Sequence, residues 1–192
     1  MATPRILAFA GSARTGSMNV QLLRAAAALA KDAGLDVTVA DLRDHPMPLY
    51  DGDLEATAGL PATVLAWKAL MKAHPAFLIA CPEYNSSITP LLKNAIDWAS
   101  RPSPGEPSLV TTQGKVVGLL SASPGALGGL RGLVTVRSIL SSIGALVLPE
   151  QVAVGKAHEA FDEAGRLKDP KQAASVSKLV QRLAFVAGRL EV

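Results

Sequence analysis

Cysteine is nearly missing from this 192-residue chain: Cys81 stands alone, which excludes an internal disulfide and is compatible with a reducing cytosol. Aromatic residues make up only 4% of the sequence, and its lysines and arginines are scattered without a cluster of five or six. Both the stacking platforms and the basic patches that hold nucleic acid are therefore lacking, so no nucleic-acid partner is expected. Residues 1–10 have no basic region ahead of a long apolar core and no small-residue cleavage site, so no secretory leader is evident. No segment approaches about 20 uninterrupted apolar residues, the length needed to cross a bilayer, and a cytoplasmic location without membrane contact is expected. His45, His74 and His158 lie far apart, with no carboxylate or cysteine at ligand spacing, which argues against a metal site. What remains is 49% hydrophobic against 18% charged, which excludes a disordered chain. The length suits one domain over residues 1–192 with a sizeable core. The net charge of +3 is compatible with small anionic ligands.

The chain is organised around residues 6–19, where an apolar run ends abruptly in glycines, hydroxyls and one arginine. Ile6 to Ala10 is too short for a helix and apolar at every position, the pattern of a parallel strand buried on both faces. Gly11 and Gly16 allow backbone conformations that a Cβ would hinder, and Ser12, Thr15, Ser17 and Asn19 set hydrogen-bonding side chains among the freed amides. An anion at the start of the next helix would meet N–H groups and the positive helix end together. Arg14 adds a planar, permanently charged fork suited to a phosphate dianion.

Further along, Val20 to Ala33 is rich in Leu and Ala and is followed by Gly34, which predicts a capped helix. Asp36 to Leu42 alternates and predicts a second strand near the sheet edge. Pro46, Pro48 and Gly52 make residues 44–53 a surface loop. Pro61 suits the first turn of a helix over residues 62–73, whose Trp67 and Met71 fit the core. Ala76 to Cys81 is a third strand, ended by Pro82, and Thr89-Pro90 opens the next helix as N-cap and first-turn proline. On that helix Lys93, Asp97 and Arg101 fall four apart and read as an ion ladder. Residues 101–114 form a proline-rich connector, Val116 to Leu120 a fourth strand, and Ser121 to Gly129 a second small-residue loop. A helix over residues 130–143 precedes a fifth strand, Ala145 to Val154, interrupted by Pro149. Residues 155–170 are loop-like, and 171–189 form the closing helix.

This alternation argues for an α/β fold, a parallel sheet with helices on both faces. In doubly wound sheets ligands lie beyond the carboxyl ends of the strands, where the strand order reverses. The loops rich in Gly, Ser and Pro follow strands one, three and four, so all three can meet at that edge. Gly11 to Gly16 does not match G-x-G-x-x-G, and no Gly-Lys-Ser/Thr ending marks a triphosphate loop, so a monophosphate fits better than a pyrophosphate. The hydroxyl-rich loop resembles that of flavodoxin-like proteins, which implies five parallel strands in the order 2-1-3-4-5 with FMN at the switch between strands one and three.

Two motifs narrow the resemblance. Gly11-Ser12-Ala13-Arg14-Thr15-Gly16-Ser17-Met18-Asn19 is similar to the G-S-x-R-x-x-S-x-N loop of the NAD(P)H-dependent FMN reductase family, which includes quinone, chromate and azo-dye reductases. Pro82-Glu83-Tyr84-Asn85, followed by Thr89-Pro90-Leu91-Leu92-Lys93-Asn94-Ala95-Ile96-Asp97-Trp98, resembles that family's second signature. The resemblance covers nearly the whole chain. It implies that Ser12, Arg14, Ser17 and Asn19 hold the FMN phosphate, with Met18 between them also in the cofactor-binding set. It further implies that Pro82, Glu83, Tyr84 and Asn85 lie against the flavin ring, with Ser121, Ser123 and Gly125 near its other edge. The flavin would carry the chemistry without a catalytic side chain: NADPH or NADH delivers hydride, and a quinone, azo compound, chromate or free flavin then takes two electrons in a ping-pong cycle. The resemblance also implies a homodimer or homotetramer. Where some relatives carry a polar Gln-Tyr-His stretch at subunit contacts, this chain has Leu133, Val134 and Thr135. That departure puts a polar tetramer network in doubt.

Cys81 reads as a small buried hydrophobe, Glu83 as a hydrogen-bonding loop residue, and Ser12 lacks the context of a hydrolase nucleophile. A flavodoxin-like electron carrier is the alternative, although carriers are usually acidic and surround the ring with aromatics, and this chain offers chiefly Tyr84 and Tyr50. A flavin-free interaction protein would leave the first loop unexplained. No acid or arginine at dinucleotide-fold spacing marks a ribose, so the sequence leaves NADH against NADPH open.

Overall fold

The computed structural model describes residues 4–190. Five parallel strands form its sheet: β1 (Ile6–Ala10), β2 (Val37–Ala40), β3 (Ala76–Ala80), β6 (Val116–Ala122) and β7 (Leu146–Val154), in the order β2-β1-β3-β6-β7. This is the expected 2-1-3-4-5 arrangement once a two-stranded hairpin, β4 (Glu83–Tyr84) and β5 (Ser87–Ile88), is set aside. The order reverses between β1 and β3, so their carboxyl ends open a crevice.

Apolar runs without alternation follow from burial on both faces. Ile6, Ala8 and Ala10 of β1 point into a core shared with helices α1 (Met18–Asp32) and α6 (Pro170–Ala187). Leu7 and Phe9 point the other way, into a core with α3 (Ala62–Lys72), α4 (Pro90–Ser100) and α5 (Leu130–Ser142). Trp67 and Met71 are buried in that second core, as their helical spacing predicts, and Phe9 packs edge-on against Trp67 at 5.0 Å between ring centroids.

Three features depart from the expectations. The segment 44–53 is irregular over residues 45–51 as its prolines predict, but regular turns reach into both its ends: a 3-10 turn covers Leu42–Asp44, and a short helix, α2 (Gly52–Ala58), starts where the Asp51 side chain accepts from the amides of Asp53 and Leu54. Pro61 stands just outside α3, at the N-cap with extended backbone, rather than inside its first turn. The last strand runs through Pro149 unbroken, because the pairing of β6 with β7 shifts register between Val117–Val147 and Leu119–Gln151. A proline without an N–H is tolerated in such an irregularity.

Candidate functional site

The first loop leaves β1 at the crevice. Gly11 donates its N–H to Ala80 O at 2.9 Å and accepts from Thr89 Oγ1 at 2.6 Å, which fixes the loop between β3 and the start of α4. Its glycine is required by close approach rather than by backbone freedom, since φ is not left-handed and a Cβ would sit 2.7 Å from Leu92 Cβ. Gly16 does adopt φ +67°, turning the chain into α1. Ser17 then caps the helix, its Oγ accepting from Val20 N.

Within this loop Ser12 Oγ accepts from Arg14 N, and Arg14 O accepts from Ser17 N at 3.2 Å. Among the described residues, the N–H groups of Ser12, Ala13, Thr15, Gly16, Met18 and Asn19 have no protein acceptor. The first turn of α1 contains no acidic residue. Arg14 is exposed and held only by a weak 3.3 Å bond from its Nη2 to Gly16 O. Open amides, a positive helix end and an exposed guanidinium in one turn fit a phosphate monoester.

Two members of the expected set do something else with their side chains. Met18 packs on the α1–α6 core. Asn19, only 5% exposed, donates from Nδ2 to Ala122 O at 2.8 Å and accepts from Ala122 N at 3.0 Å. Its amide therefore ties α1 to the end of β6, and both residues can offer a phosphate only their main-chain N–H.

The second loop is the β4–β5 hairpin. Asn85 and Ser86 sit at its tip with φ of +50° and +65°, both central residues of the turn being left-handed, and Tyr84 is 55% exposed. Glu83 is turned inward. Its carboxylate accepts from the amides of Arg131 at 3.0 Å and Gly132 at 3.2 Å, and pairs with the Arg131 guanidinium at 2.6 Å. Helix α5 starts at Gly129, which has no side chain to cap it, and lacks an acid in its first turn. Glu83 supplies that cap from another element. Burial pushes its carboxyl up, but the Arg131 charge and the two amides outweigh this and hold it below the usual carboxylate range. The Glu83 carboxylate is therefore committed to the start of α5.

The third loop follows β6. Ser123 Oγ accepts from Gly125 N at 3.0 Å, while Gly125 O accepts from Gly128 N and Lys156 N. A Cβ on Gly128, already at φ +62°, would lie 2.7 Å from Gly155 N and Val154 C. Ser121 is fully buried on the α5 side beneath Gly129, and its Oγ has no partner. The twelve expected residues fall in the first loop and the first turn of α1, in the segment Pro82 to Asn85 after β3, and at the end of β6 and the loop after it, all at one sheet edge, but Asn19, Glu83 and Ser123 use their side chains to brace that edge.

Other expected roles are also redistributed. Lys93 pairs with Asp97 at 2.8 Å, yet Arg101 leaves the ladder to bind Glu55 at 2.8 Å and cover the Tyr50 ring. Tyr50 packs on Trp98 and donates from its hydroxyl to Glu55, so it holds the 48–55 strap on α4. The sequence reading missed that Asn94 and Trp98 both donate to Pro48 O, at 2.8 and 2.7 Å. Their place in the second signature is the signal that pointed there. Cys81 is fully buried, and burial followed by the Glu83 charge pushes its thiol up to about 12, so it is inert. Among the described residues no group of three His, Cys, Asp or Glu could hold a metal ion, and no helix is long and apolar enough to cross a membrane.

The reversed strand order and the open phosphate loop at its switch point define a flavodoxin-like α/β protein. Residues 4–159 match the family described as NADPH-dependent FMN reductase, and the chain belongs to that family. It is similar to an NAD(P)H-dependent FMN reductase of Pseudomonas aeruginosa, 36% identical over 97% of this chain and 96% of that one. It is also similar to a quinone reductase of Escherichia coli, 35% identical over 79% and 77% of the two chains. Among solved structures, the flavoenzyme NAD(P)H:(acceptor) oxidoreductase FerB of Paracoccus denitrificans superimposes with a TM-score of 0.82 at 28% identity, covering 97% of this chain and 98% of that one. The chain is therefore an oxidoreductase that uses FMN and NAD(P)H.

Proposed function

We propose that this protein takes hydride from NAD(P)H and delivers two electrons to a quinone or a similar small acceptor, the two substrates using one open face in turn. The observation that carries the reading is the first loop, where free amides, the positive end of α1 and Arg14 converge on space for one phosphate. FMN, when bound, supplies the redox chemistry: it is the group that can take a hydride and release the electrons to an acceptor. The chain's own work is positioning. Ser12, Arg14, Ser17 and the amides up to Asn19 bind the phosphate, and the main chain of Pro82 to Asn85 borders the ring. Amides there stay oriented without a titrating side chain, which favours negative charge at the ring's pyrimidine end.

A second copy of the chain fits the exposed apolar surface at the start of α5, where Leu127, Leu130 and Val134 are 54, 40 and 62% exposed beside Arg131 and the hairpin. This makes a homodimer the expected form, working in the cytoplasm.

The test is purification followed by flavin absorbance and NAD(P)H oxidation with and without a quinone. Bound FMN with quinone-stimulated oxidation of NAD(P)H is the expected result. Bound FMN without steady oxidation would make the protein an electron carrier, and no flavin would overturn the reading.

A further inference from the structure

Strands β3 and β6 end at different heights. They stay paired as far as Ala80 with Leu120, and the Cys81 N–H still donates to Leu120 O at 2.8 Å. β6 then runs on to Ala122, while the chain after β3 has already turned at Pro82 into the hairpin. On its other side β6 remains paired, Ser121 with Ala153 and Ala122 with Val154. Alternate residues of a strand turn their N–H and C=O to the same side, so Ala122, like Leu120, faces the place that β3 has left. Ala122 is buried, and its two main-chain groups need partners there.

Asn19 supplies both. Its Nδ2 donates to Ala122 O at 2.8 Å and its Oδ1 accepts from Ala122 N at 3.0 Å, so one side chain stands where a strand neighbour would. The residue type matters: an amide carries a donor and an acceptor at fixed separation, whereas an ionised aspartate has no donor. Asn19 is also the second residue of α1, and its own N–H is among the open amides of the phosphate turn. The other ties of the loop after β6 run away from that turn. Ser123 N donates to Val154 O at 3.1 Å, Ser123 O accepts from Ala157 N at 3.0 Å, and Gly125 O accepts from Lys156 N at 3.3 Å, all on the β7 side.

We propose that Asn19 is a positioning residue for the flavin ring: its side-chain amide sets the loop after β6 at a fixed place relative to the phosphate turn, without itself reading the phosphate. The proposal rests on the seating given above, with the phosphate on the first loop and the ring between Pro82 to Asn85 and the loop after β6. A phosphate-motif residue thereby acts on the end of the ligand that carries no phosphate.

The test measures dissociation constants of FMN and of riboflavin, and the absorbance spectrum of each bound flavin, for wild type and Asn19→Ala. Asn19→Ala should weaken both flavins by about the same factor, roughly fivefold for one lost oriented contact, and should shift the bound-flavin spectrum. The FMN-to-riboflavin preference should stay as in wild type. Val180→Ala, a buried substitution in α6 away from the loops, controls for lost stability and should leave affinities and spectrum unchanged. Asn19→Gln keeps donor and acceptor on an arm one methylene longer; it serves if the alanine variant does not fold, and should show the same equal loss. Wild-type riboflavin affinity and spectrum in a destabilised Asn19→Ala would overturn the proposal, leaving a brace with no part in seating the ring. A loss confined to FMN would overturn it too, because the side chain would then be reading the phosphate, and so would equal losses in Val180→Ala. Wild type binding neither flavin would instead remove the FMN reading on which the proposal rests.

Discussion

Between Ser12 and Asn19 the main chain presents N–H groups that nothing in the described residues answers, and Arg14 reaches only a weak contact. The hairpin and the loop after β6 are built the other way. Glu83 is answered by Arg131 and Gly132, Ser123 by Gly125, and Gly125 O by Gly128 and Lys156. The first loop leaves its donors unanswered, as the proposed phosphate site requires, and the other two fix a surface of defined shape. Substitutions in the braced loops should therefore cost stability first, and substitutions in the open loop should cost affinity with little change in stability.

The largest loss is expected at Gly128→Ala. The new Cβ would meet main-chain atoms of Ala153, Val154 and Gly155 at 2.7 to 2.8 Å, in a left-handed conformation an alanine resists. Strain and overpacking together should cost at least about 3 kcal/mol in denaturant unfolding. A loss below about 1 kcal/mol would show that this loop is not braced.

Asn19→Ala comes next. It leaves Ala122 N and O without partners in a buried setting, which costs about 2 to 3 kcal/mol. Because Asn19 lies inside the phosphate motif, this variant also separates the two behaviours: a fall in stability is expected, with FMN affinity changing less than in an Arg14 variant.

Glu83→Gln should cost about 1 to 2 kcal/mol by weakening the cap on α5 and its pair with Arg131. Its carboxyl is held below its unfolded value. The stabilisation is then fully present above the unfolded value, about pH 4.3, and disappears as the pH falls through the lower folded value. Wild type and Glu83→Gln should differ at neutral pH and converge in acid, and a difference that persists unchanged below about pH 3 would contradict the assignment.

The same contrast explains what was legible in the sequence. The strands, their burial on both faces and the open loop follow from local patterns, the apolar runs of Ile6–Ala10 and Ala76–Ala80 and the glycines and hydroxyls at short spacing, whereas the strand order was implied only by the resemblance to flavodoxin-like proteins. The bracing was not legible because it joins residues far apart in the chain, Asn19 to Ala122, Glu83 to Arg131, and Asn94 and Trp98 to Pro48. Gly11 shows the limit within a single residue. Its place in the loop was evident, but its reason, the nearness of Leu92, needed the fold. The run through Pro149 was missed because the register shift that admits a proline is a property of the pairing with β6.

The central claim is that the first loop reads a phosphate, and it is tested most directly by comparing FMN with riboflavin, which lacks that phosphate. Dissociation constants for both should be measured on wild type and Arg14→Ala. Wild type should prefer FMN strongly, and Arg14→Ala should reduce that preference by about ten- to a hundredfold, with unchanged stability and riboflavin binding. An Arg14→Ala protein that retains the wild-type preference for FMN would contradict the account.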